Sequence, residues 1–142
     1  MIRTGLIGYG LAGAVFHEPL INACDRLELT AVLTSRGHPL KVGTLDDLLN
    51  RSELVVIASP NESHFPLAKT ALDSGRHVVV DKPFTLSTEE ADELIEIAAA
   101  NKLLLSVFHN RRWDGDFLTA EKIIPRLGDL LLFEANWDRF RP

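Results

Sequence analysis

Apolar residues in this chain fall into two kinds of run. The stretches Ile2–Ile7, Leu27–Leu33, Leu54–Ala58, His77–Val80 and Leu103–Phe108 are near-continuous and rich in β-branched residues, which reads as strands. Leu54–Ala58 and Val78–Val80 have no polar alternation, the mark of parallel strands covered on both faces. Between them the apolar positions take helical spacing. Helices are predicted after residue 13 to about Cys24, over Leu45–Asn50, through Leu72 to a stop at Gly75, from Ser87 to about Ala100, and over Phe117–Leu127. Pro19 lacks an N–H and its ring clashes with the preceding turn, so a kink is expected around Phe16–Glu18. Thr44 caps the second helix, with Asp46 and Asp47 in the first turn. Ser87 and Glu90 form a capping box. Leu130–Trp137 reads as a last strand, with Leu131, Phe133, Ala135 and Trp137 on one face.

The order β-α-β-β-α-β-α-β-α-β implies an α/β fold, a doubly wound parallel sheet of Rossmann type. One step is irregular. A third parallel strand normally needs a crossover helix before it. Here Gly37-His38-Pro39 leads almost at once to Leu40-Lys41-Val42, so that helix is either deleted or missing from the sequence.

The first strand ends in Gly8-Tyr9-Gly10-Leu11-Ala12-Gly13, and a helical pattern follows. Three glycines at this spacing, between strand and helix, are the dinucleotide fingerprint. Gly8 allows the sharp turn, Gly10 lets a pyrophosphate approach the backbone, and Gly13 lets the helix pack on the strand. The helix N-terminus then receives the phosphates. About 20 residues further on, where an acid would hold a ribose diol, stand Ser35 and Arg36. They either take a 2′-phosphate, which favours NADP over NAD, or remain solvated loop residues. Open parallel sheets bind ligands at the carboxyl ends of their strands. Ser59, Pro60, Asn61 and His64 lie at one such end, Asp81 and Lys82 at another, and His109, Arg111, Arg112 and Trp113 at a third. Pro83 biases Lys82 to extended backbone, and Lys82 is placed to touch a cofactor or polarise a substrate oxygen. Arg111, Arg112 and Trp113 either grip an anionic or hydroxylated substrate or pack at a domain interface.

Composition narrows the classes. The chain has 142 residues, enough for about one domain. Its net charge of −5 argues against a nucleic-acid partner. The one cysteine, Cys24, excludes a disulfide framework and suits a reducing, cytoplasmic setting. No apolar run has the length of a membrane span. No Cys/His set has metal-ligand spacing, so no metal is expected.

The glycine turn followed by Phe16-His17-x-Pro19, then Ala58-Ser59-Pro60-Asn61-x-x-His64, Asp81-Lys82-Pro83 and Phe108-His109-Asn110-Arg111-Arg112-Trp113-Asp114, resembles the Gfo/Idh/MocA family of NAD(P)-dependent oxidoreductases. The resemblance covers essentially the whole chain. It implies a Rossmann cofactor domain and hydride transfer between nicotinamide and a sugar, cyclitol or related polyol. Lys82 matches the family's lysine beside nicotinamide and substrate; Asp81 stands where most members have Glu. Family members continue into a large α/β domain that carries a catalytic histidine, an acid and the oligomer interface. On this basis residues 1–128 are expected to be the cofactor domain, and 129–142 the first strand of a second domain otherwise missing, with a homo-oligomer in the full-length form. The alternative is a stand-alone nucleotide-binding or sensing module without catalysis.

Overall fold

Six parallel strands in the order β3-β2-β1-β4-β5-β6 form one sheet. They are β1 (Ile2–Ile7), β2 (Leu27–Leu33), β3 (Lys41–Val42), β4 (Leu54–Ile57), β5 (His77–Asp81) and β6 (Leu105–Phe108). The structure is a computed structural model and describes residues 1–136 and 138. Helices α1 (Glu18–Asn22), α2 (Leu45–Arg51), α3 (His64–Asp73) and α4 (Thr88–Ala100) flank the sheet. Two units result, Met1–His109 with the whole sheet, and a second beginning at Asn110. The second holds a 3-10 turn (Asn110–Trp113), α5 (Gly115–Ile123) and another 3-10 turn (Ile124–Arg126). Among the described residues no helix is long and apolar enough to cross a membrane.

Alternation along the strands divides the core. Ile7, Val55, Ile57, Val78 and Val80 face Leu48 and Leu49 of α2, Ala68 and Leu72 of α3, and Leu94 and Ala98 of α4. Leu6, Val32 and Val56 point the other way, onto Ile21 of α1. β4 is therefore apolar throughout because both of its faces are covered. β1 lies between β2 and β4, with Ile7 paired to Leu33 on one side and Ile57 on the other. Its carboxyl end is thus at the centre of the sheet, where the order reverses.

The expected kink is a π-helical turn over Gly13–His17. Glu18 N–H closes it on the Gly13 carbonyl, and Pro19 is the second residue of α1, in its first turn. The step from β2 to β3 contains no helix. Lys41 and Val42 pair only with Val32 and Leu33, at the carboxyl end of β2. The chain never returns to the far edge of the sheet, so residues 34–40 suffice. Residues 130–136, expected as a strand, form none. Alternation alone does not make a strand; its backbone groups need a neighbouring strand, and the second unit has none among its described residues. Trp137 lies outside the described residues.

A Cβ at Gly13 would lie 2.2 Å from the Gly8 carbonyl oxygen, whereas one at Gly10 would meet nothing within 4 Å. Gly13→Val is therefore expected to cost about 2 kcal/mol or more, and Gly10→Val no more than about 1 kcal/mol. Urea unfolding of both variants checks this; equal losses would contradict the packing described.

Candidate cofactor site

The carboxyl ends of β1, β2 and β4 enclose a cleft of about 610 Å³. Gly8, Tyr9, Gly10, Thr34, Ser35, Arg36, Ser59 and Pro60 line it, together with apolar residues from the strand ends, and no carboxylate does. The glycine turn forms one wall. Gly8 adopts φ +92°, and a Cβ there would lie 2.4 Å from the Ala58 carbonyl oxygen. Helical turns run from Leu11 through Asn22, so the free N–H groups of their first turn border the same turn. The space above Gly10 is open, as a pyrophosphate lying on the backbone requires. These residues fit a dinucleotide.

Ser59 and Pro60 are fixed from below. Ser63 Oγ donates to the Pro60 carbonyl at 2.6 Å, so the 2.6 Å contact between Ser59 and Ser63 is donated by Ser59. His64 is 1% exposed. Its Nδ1 lies 2.7 Å from the Pro83 carbonyl and its Nε2 2.9 Å from the Ser59 carbonyl. Carbonyl oxygens only accept, so the ring bonds both as the imidazolium and one as a neutral tautomer. Neither nitrogen is left for a ligand. His64, expected as a cofactor contact, ties the β4 end to the β5 end through these two carbonyls. Asn61 is exposed in the 3-10 turn that precedes it.

At β5, Asp81 Oδ1 accepts the Lys82 backbone N–H at 2.8 Å, and the Lys82–Pro83 peptide is cis. The Lys82 residue itself is exposed. Asp81 Oδ2 faces His17 Nε2 at 3.6 Å, too far for a hydrogen bond. His17 is 4% exposed, its ring 4.5 Å from that of Phe108, and Nε2 has no hydrogen-bond partner. Burial pulls the His17 pKa below its usual value, and the Asp81 charge only partly offsets this. His109 follows β6 and is exposed. Arg111, Arg112 and Trp113 belong to the second unit, where Arg111 pairs with Asp114 at 2.7 Å.

The sequence reading missed a cluster at the far rim. The Tyr9 hydroxyl donates to Glu18 Oε2. His38 Nδ1 accepts the Leu40 N–H at 3.0 Å, so its Nε2 carries the hydrogen and donates to Glu18 Oε1 at 3.1 Å. The Tyr9 and His38 rings meet edge to face at 4.8 Å. The Tyr9 bond, then His38, hold the Glu18 pKa low against the opposing effect of burial, and the same Tyr9 bond raises the Tyr9 pKa. Lys41 also reaches this end, with Nζ 3.4 Å from the Ser35 carbonyl. The one available signal was compositional: Thr34 through Lys41 contains two cations and no acid. Among the described residues no group of His, Cys, Asp and Glu is arranged to hold a metal.

A parallel sheet with a glycine turn on its central strand and an acid-free cleft at the strand ends defines a nucleotide-binding α/β protein. The chain belongs to the Gfo/Idh/MocA oxidoreductase family, whose description, an oxidoreductase family with an NAD-binding Rossmann fold, matches residues 2–109. It is 46% identical to the uncharacterized oxidoreductase YdgJ of Escherichia coli K12, over 99% of this chain and 44% of that protein. It is 37% identical to the scyllo-inositol 2-dehydrogenase (NADP(+)) IolW of Bacillus subtilis 168, over 99% of this chain and 43% of that protein. The crystal structure of a putative oxidoreductase from Klebsiella pneumoniae superposes with a TM-score of 0.91 at 45% identity, covering 99% of this chain and 45% of that one. The chain thus spans less than half the length of these relatives. Both protein alignments run over 153 positions, so each relative carries residues that these 142 lack.

The low His17 pKa has a consequence for stability. Its ordinary value is 6.5, so on acidification the unfolded chain takes up this proton before the folded one. Stability is present above that value and is lost as the pH falls through it. The low Glu18 pKa acts only further down, below 4.5. Melting temperatures are expected to fall between pH 7.5 and 5.5, with a smaller fall in His17→Phe. An equal fall in both proteins would contradict the assignment.

Proposed function

We propose that this chain is the cofactor-binding part of an NADP-dependent dehydrogenase that moves hydride between the nicotinamide and a sugar- or cyclitol-type hydroxyl or carbonyl. The observation that carries the reading is the position of Lys82. It stands exposed after β5, the strand next to β4, its backbone tied by Asp81 and its neighbour Pro83 tied through His64 to Ser59 of the cleft. A module that only binds nucleotide has no use for a lysine held there. The polyol class is supported by the relative that is a scyllo-inositol 2-dehydrogenase.

When bound, the nicotinamide supplies the hydride acceptor or donor. The chain's own residues bind and orient. Backbone N–H groups after Gly10 take the pyrophosphate. Ser35 and Arg36 take the ribose 2′-phosphate, a charge-assisted contact that a diol cannot match. The Lys82 ammonium donates a hydrogen bond to the substrate oxygen and steadies the negative charge that grows there as hydride leaves the carbon. Asp81 holds the Lys82 main chain, with His17 beneath its carboxylate. His109, Arg111, Arg112 and Trp113 are the substrate-side candidates. Residues 1–128 form the cofactor domain in this reading, and residues 129–142 lead into the substrate and oligomerisation domain that the longer relatives have room for.

Calorimetry tests the cofactor. NADP is expected to bind wild type at least about tenfold more tightly than NAD, and Gly10→Val, which leaves the fold intact, is expected to abolish binding of both. Equal affinities would overturn the NADP preference, and unchanged binding to Gly10→Val would overturn the site. Incubated with NADP and a panel of cyclitols and sugars, the chain is expected to bind cofactor without turnover. The proton that leaves with the hydride needs a base within hydrogen-bond reach, and neither His64 nitrogen is free. Turnover would mean that Lys82 with His17 or His109 completes the set.

A further inference from the structure

The shortened step between β2 and β3 changes the chemistry of the cleft as well as its wall. β3 begins with Lys41, which pairs with Val32 at the carboxyl end of β2. No crossover helix intervenes, so a residue eight positions along the chain from Leu33 returns to the strand's own end. Its Nζ lies 3.4 Å from the carbonyl of Ser35, a residue that lines the cleft beside Arg36. A solvent-exposed ammonium on one long carbonyl contact is weakly held and free to take a better acceptor.

The surroundings remove what would compete for it. No carboxylate occurs between Thr34 and Lys41, and none lines the cleft. Glu18, which is tied to the link through His38, has both oxygens taken by the donors Tyr9 and His38. The same contacts hold the link in place. The His38 side chain is 6% exposed and accepts the Leu40 N–H, and Thr34 Oγ1 accepts the Arg36 N–H at 3.0 Å. A link held by these contacts presents its backbone already ordered, so binding pays only for the two cationic side chains.

We infer that Lys41 is a second phosphate-binding cation, which forms with Ser35 and Arg36 a site for the phosphomonoester on the 2′ position of the adenosine ribose. This rests on the NADP reading above and names the residue that strengthens it. Arg36 supplies a planar fork, and Lys41 a point charge at the Ser35 carbonyl.

The test is calorimetric titration of NADP and NAD into wild type, Lys41→Gln and Lys41→Arg, at low and moderate salt. Lys41 is exposed, and a thermal melt confirms that each variant is folded. Lys41→Gln is expected to weaken NADP binding roughly five- to tenfold and to leave NAD unchanged. It should also flatten the salt dependence of NADP binding, and Lys41→Arg should recover most of the loss. If wild type prefers NADP and Lys41→Gln keeps the whole preference, or weakens both cofactors alike, the Lys41 assignment is overturned and the NADP reading stands. If wild type binds NAD as tightly as NADP, the NADP reading fails and this inference falls with it.

Discussion

Gly13 lies so close to the Gly8 carbonyl that a methyl group there would sit 2.2 Å from the oxygen. That backbone-to-backbone approach sets the direction in which the chain leaves β1. It turns the first helical turn over the end of the central strand and opens the space above Gly10. β2 and β4 pair with β1 on either side, so their loops meet at the same place. The cleft follows from these contacts, and Gly8, Tyr9, Gly10, Ser35, Arg36, Ser59 and Pro60 line it.

A second layer of contacts keeps the loops still. His64 spans the Ser59 and Pro83 carbonyls, Asp81 holds the Lys82 main chain, and the trio of Tyr9, Glu18 and His38 fastens the short link. These contacts convert loops into surfaces of fixed shape, and this lowers the cost of binding. The deletion between β2 and β3 fits the same logic. The link contains no helix, is tied to Glu18 through His38, and brings the Lys41 ammonium to the Ser35 carbonyl.

The strands and longer helices were legible because their apolar periods are clean and their caps local. Thr44 and Ser87 each accept the N–H three residues on, as the spacing implied. Pro19 forecast a distortion but not its form, because a π-turn is chosen by how the helix must lie on the sheet. The strand expected over Leu130–Trp137, absent from residues 130–136, shows the limit of alternation, which specifies a face but supplies no partner. Of the site, the glycine turn, Ser35, Arg36, Ser59 and Pro60 were legible and share one cleft. The contacts of His64 were not, since one of them reaches Pro83, 19 residues along the chain. The His38–Glu18 pair joins residues 20 apart, a spacing that no local rule covers.

The central claim is that one dinucleotide occupies the carboxyl ends of β1, β2, β4 and β5. Backbone amide shifts measured by NMR during titration with NADP test it most directly. The largest changes are expected at residues 8–13, 34–36, 59–64 and 81–83, all following one binding curve. Changes confined to one of these segments, or centred elsewhere on the sheet, would contradict it.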